Sequence, residues 1–103
     1  MRQPIKSRSR MPTETAEQLA ITALSFLAAE PERFGRFLSV TGIDPEAIRA
    51  AASEPGFLAG VLAYLAADER LASEFIAEAT CGPGDIARAH IALGGEPWER
   101  EIP

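Results

Sequence analysis

The chain has 103 residues, 47% apolar and 24% charged, which suits one globular domain with one core and leaves no length for a second. Its net charge of −5 is unevenly spread, since Arg2, Lys6, Arg8 and Arg10 face no acid in the first ten positions and the rest carries six bases against nine more acids than that. An acidic body of this kind repels nucleic acid and anionic membrane surfaces, and no apolar run approaches the ~20 residues of a bilayer span. The single cysteine, Cys81, excludes an internal disulfide; a lone thiol suits a reducing compartment, so the expected location is cytoplasmic.

Residues 1–12 are polar, basic and proline-containing, and are expected to form a flexible basic arm, with Met11 at its junction as a second candidate start. Residues 13–95 are expected to form the helical domain. The first helix is predicted over Glu14–Ala29, capped by Thr13 or by Thr15 in a capping box with Gln18. Leu19, Ala20, Ala23, Leu24 and Leu27 recur at three- and four-residue intervals and mark its inner face. Pro31 disfavours helix at Glu30 and suits the first turn of a second helix bearing Phe34, Phe37, Leu38 and Val40.

Gly42 is placed to end that helix in the left-handed region, and Asp44 to cap a short third helix with Pro45 in its first turn and Ile48 and Ala51 inward. Ser53, Pro55 and Gly56 then break the chain. The most apolar segment, Phe57–Ala67, should be the buried centre, through Phe57, Leu58, Val61, Leu62 and Leu65. Asp68 caps a helix carrying Leu71, Phe75, Ile76 and Ala79, which Gly82 is expected to close. Pro83 is expected to open a last helix through Leu93, with Ile86, Ala89 and Leu93 inward and Gly94–Gly95 as its stop. The tail, residues 96–103, has no helical period.

Segments 37–52 and 75–90 echo each other: Phe37 lies over Phe75, Pro45 over Pro83, Ile48 over Ile86 and Ala51 over Ala89. Each describes helix, glycine turn and short helix, which fits either a duplicated helix-turn-helix-like unit or the common grammar of helices. Two copies suit a closed bundle better than a solenoid, which needs three or more. The fold class is therefore all-α, a compact bundle of five to six short helices.

The runs ALSFLA, PERFGRFL, TGIDP and PGFLAGVL, within Leu19–Gly95, resemble a family of small bacterial proteins, domain of unknown function 3572. The resemblance implies a small all-helical fold and no activity, ligand or assigned residue. The turn Cys81–Gly84 is richer in glycine than the resemblance leads one to expect.

Chemistry-bearing residues are few. His90 reads as a helix-surface histidine near a helix C-terminus, with general base or metal ligand as the sharper alternative. Cys81 reads as a small apolar residue; a lowered pKa at the next helix N-terminus would make it a nucleophile, but His90 is nine residues away and expected to point elsewhere. No CxxC or HxxxH spacing occurs, the pair Glu74 and Glu78 reads as a solvated face, and the glycines of GPG precede Asp85, which repels a phosphate. Trp98, in the polar tail, either packs back on the bundle or anchors a partner, and is the one interaction residue singled out. No catalytic residue, cofactor, metal or small-molecule ligand is expected.

Two functions remain. The first is a non-enzymatic interaction module that binds another protein or itself. The second is weak DNA binding through the helix-turn-helix-like units and the basic arm; against it, PEAIRAAA offers base edges only Arg49.

Overall fold

The computed structural model describes residues 11–94, and they form six α-helices with no strand among them. These are α1 (Thr13–Ala28), α2 (Pro31–Thr41), α3 (Ile48–Ala51), α4 (Pro55–Ala66), α5 (Glu69–Ala79) and α6 (Asp85–Ala92); a 3-10 turn, Pro45–Ala47, leads into α3. The all-helical bundle expected from the sequence is what forms. The proposed arm, residues 1–12, lies outside the described residues except at Met11 and Pro12. Those two already belong to the globule, since Met11 packs against the core and Pro12 is the residue that precedes α1.

The centre is built from α1, α4 and α6, each of which packs on the other two. On α1, Ala16, Ala20, Ala23 and Leu27 are completely buried, a stripe at helical spacing that presents small side chains and lets neighbouring backbones approach. Helix α4 supplies Leu58, Ala59, Val61, Leu62 and Leu65, which surround more than one stripe, as its near-continuous apolar sequence requires. Helix α6 contributes Ile86, Ala89 and His90, with Leu93 just beyond its end.

A second, aromatic cluster attaches α2. Phe37 is buried and takes the edges of Phe57 at 6.4 Å and Tyr64 at 5.1 Å, while Phe34 stacks beside it at 6.3 Å. Such edge-on pairs add about 0.5–1.5 kcal/mol to the area they bury. Phe26 of α1 meets Phe75 of α5 in the same manner at 5.4 Å. Val40 departs from the expected apolar face of α2 and is 66% exposed.

Several helix ends differ from expectation. No side-chain cap forms at the start of α1; Thr13 is already helical and Pro12 precedes it, so the Thr15–Gln18 capping box is absent. Pro55 and Gly56 do not break the chain but open α4, because proline's fixed φ and missing N–H suit a first turn. Gly42 ends α2 at φ 73° with its N–H on the Leu38 carbonyl, as expected. Asp44 and Asp68 cap as expected, Asp44 accepting from the Glu46 N–H and Asp68 from those of Arg70 and Leu71.

Helix α5 stops two residues before Gly82, at Thr80, which adopts φ 51°. That region is costly for a β-branched residue. The N–H groups of Thr80 and Cys81 both reach the Ile76 carbonyl there, so the helix end is satisfied. Pro83 lies in the following turn rather than in α6, which begins at Asp85.

The two echoed segments thus diverge. After Pro45 comes a 3-10 turn and one turn of α-helix with no fully buried residue, whereas after Pro83 comes an eight-residue helix in the core.

Candidate functional site

Asp85 organises the turn between α5 and α6. Its Oδ2 accepts from the Gly82 N–H at 2.8 Å, its Oδ1 accepts from Arg88 Nη2, and its own N–H donates to the Gly82 carbonyl. The Gly82 N–H and then the Arg88 guanidinium hold the Asp85 carboxyl below the usual carboxylate range. Here a carboxylate of the chain itself takes the glycine-loop donor that the phosphate reading would have needed. Cys81 is half-buried beside it, and burial, followed by the charge of Asp85, pushes its thiol up. A thiol shifted in that direction is a poor nucleophile at neutral pH, which matches the apolar reading and not the reactive one.

His90 corrects the helix-surface expectation, because it is only 9% exposed. The reason lies in packing: α6 is covered by both α1 and α4, so the buried arc widens to Ile86, Ala89, His90 and Leu93, spaced i, i+3, i+4 and i+7. Burial holds the imidazole below its ordinary value. Cys81 and His90 are parts of the turn and of the core respectively. Among the described residues there is no group of three or more His, Cys, Asp or Glu that could hold a metal ion. Trp98 lies outside the described residues, as does the tail.

Two concave surfaces flank α2. The first is a charged cleft lined by Glu30, Glu32, Arg33 and Arg36 from the start of α2, Tyr64 from α4, and Asp68, Arg70 and Glu74 from the start of α5. Arg33 is its anchored member. Its Nε and Nη2 both donate to the Phe26 carbonyl, its guanidinium lies 3.9 Å from the centre of the Phe26 ring, and Glu74 stands 3.9 Å away. The Phe26 carbonyl belongs to the last turn of α1, where such groups lack helical partners and the helix dipole favours a cation. Arg33 therefore closes the end of α1, stacks on a core aromatic and ties α2 to both. Acids and arginines are interleaved around it, so the cleft has no single sign with which to gather one kind of ion.

The second is an open apolar groove of about 560 Å³ between α1, α2 and α3, lined by Leu24, Phe34, Pro45, Ile48 and Ala52, with Glu46 and Arg49 as its charged members. Ile21, 45% exposed, stands three residues before Leu24 on α1 and extends the apolar surface along that helix. Sequence reading assigned Ile48 to the core and found no groove. Its formation depends on how far α3 stands from α1, which local pattern does not encode.

Two predictions follow from these contacts. Replacing Arg33 by Ala should cost about 1–3 kcal/mol in equilibrium urea unfolding, since a charged donor pair and a ring contact are lost from a side chain only 16% exposed. Arg33→Lys should recover little of it, because an ammonium cannot reproduce the planar fork. The second concerns pH. Between the ordinary histidine value of 6.5 and the lower folded value, the unfolded chain binds the extra proton, so stability is complete above that range and falls as pH drops through it. Asp85, with a lowered folded value, adds a separate loss only as pH falls below its ordinary 3.8. Unfolding free energies at pH 7.5, 6.5 and 5.5 should therefore decline for the wild type and decline less for His90→Gln.

A family model described as "Protein of unknown function (DUF3572)" matches residues 13–96. No curated protein and no solved structure matches the chain.

Proposed function

The chain belongs to the DUF3572 family of proteins of unknown function, and from its own surface we propose that it is a non-catalytic module of the cytoplasm that binds another protein. The observation that carries this reading is the open groove of Leu24, Phe34, Ile48 and Ala52, with Ile21 exposed beside it and charges at its edge. Grooves between helices, apolar within and charged at the edge, are the ordinary receptors for an amphipathic partner helix. The position of Cys81, with its thiol pushed up, and the burial of His90 give no support to nucleophilic or acid–base chemistry by either residue.

The DNA-reading alternative has less in its favour. The element after Gly42 is a single helical turn, and its one base, Arg49, is set beside Glu46.

Affinity capture from the native host, with bound proteins identified by mass spectrometry, tests the proposal. Ala52→Glu places a charge inside the groove, and Arg70→Glu alters the charged cleft instead. A partner held by the wild type and by Arg70→Glu but lost with Ala52→Glu is the expected result. Equal recovery by all three proteins, or a partner lost only with Arg70→Glu, would refute the groove as the binding surface.

A further inference from the structure

We propose that the connector 44–53 is a flap that detaches from the bundle while the rest stays folded, uncovering the Leu24 and Phe34 side of the groove. Four observations converge on this segment. It has no fully buried residue, and its only α-helix, α3, is four residues long. Such a helix has no stability of its own, because nucleation costs more than one turn returns. Every hydrogen bond donated by residues 46–54 ends on residues 44–51: Glu46 N–H on the Asp44 carboxylate, Ala47 on the Asp44 carbonyl, Ala52 on Ile48, Ser53 on Ala50 and Glu54 on Ala51. None crosses to another helix.

The described ion pairs, Arg33–Glu74 and Arg88–Asp85, also leave the segment out. What holds it down is apolar contact alone, through the half-buried Ile48 and Ala52. Beneath those two contacts runs the groove rather than close packing, and the element packed most closely on α3 is its own 3-10 turn. Segments with few buried apolar contacts and self-contained hydrogen bonds open at a fraction of the global free energy.

The ends of the segment are built as pivots. Gly42, at φ 73°, gives the chain a left-handed corner after α2, and no atom lies within 4 Å of where its side chain would be. At the other end Glu54 is extended, φ −103° and ψ 127°, ahead of Pro55. The helices on either side are fixed independently, α2 by Arg33 and Phe37 and α4 by its place in the core. Lifting the connector therefore breaks no hydrogen bond of α1, α2, α4 or α6. This property concerns the chain by itself and stands apart from the interaction reading.

Native-state hydrogen exchange of the full chain, read by NMR or mass spectrometry at increasing sub-denaturing urea, tests it. The amides of Ala47, Ala52 and Ser53 should exchange at least about a hundredfold faster than those of α1 and α4, with little dependence on urea. Ile48→Ala should speed exchange of those amides by about tenfold while leaving α1, α4 and α6 unchanged. If the connector amides follow the urea dependence of α1 and α4, the segment opens only with the whole fold and the flap does not exist. An Ile48→Ala protein in which all helices exchange faster together, or in which the connector is unaffected, overturns it equally. Should that variant not fold, the wild-type urea dependence alone decides.

Discussion

The structure depends on the close approach of three helices, α1, α4 and α6, and that approach depends on alanine. Ala16, Ala20 and Ala23 on α1 and Ala89 on α6 are completely buried, and no larger side chain fits between helices at the separations that Leu27, Leu62 and Leu65 then fill. The abundance of alanine serves two purposes at once. It favours helix locally, losing no side-chain entropy, and it sets how near the helices come. Everything else is attached to this trio: α2 through Phe37 and Arg33, α5 through Phe75, and the connector by apolar contact only.

Patterns that live on one element were the legible ones. The helical class, the inner stripe of α1, the buried character of α4, the left-handed stop at Gly42 and the caps at Asp44 and Asp68 all follow from spacing and residue type within a few positions. Pro55 was misread because proline opens helices as readily as it ends them, and only the chain before and after it decides which. Thr80 was missed because a β-branched residue is a poor left-handed cap; two N–H groups converging on the Ile76 carbonyl satisfy the helix end at that position.

The candidate sites were less legible, because they come from relations between elements. His90 looked like a surface residue on an isolated helix and is buried because α6 has neighbours on two sides. Its i+4 spacing from Ile86 was a usable signal. Arg33 carried no such signal: its target, the carbonyl of Phe26, lies on another helix, across the break at Pro31. The groove follows from the placement of α3, a one-turn helix whose orientation is decided by Ile48 and Ala52 finding α1 and α2. The result is a rigid alanine-seamed core with a loosely held edge, and the apolar surface lies at that edge.

The alanine seam is the central claim, and the equilibrium unfolding of Ala20→Leu tests it most directly. The substitution raises helix-compatible apolar volume without altering charge, so an exposed or loosely packed position would accept it with stability unchanged or improved. At a completely buried contact between helices it must push α1 from its neighbours. The account predicts a loss of about 1–3 kcal/mol in urea unfolding with helical circular dichroism retained. A variant as stable as the wild type, or more so, would contradict it.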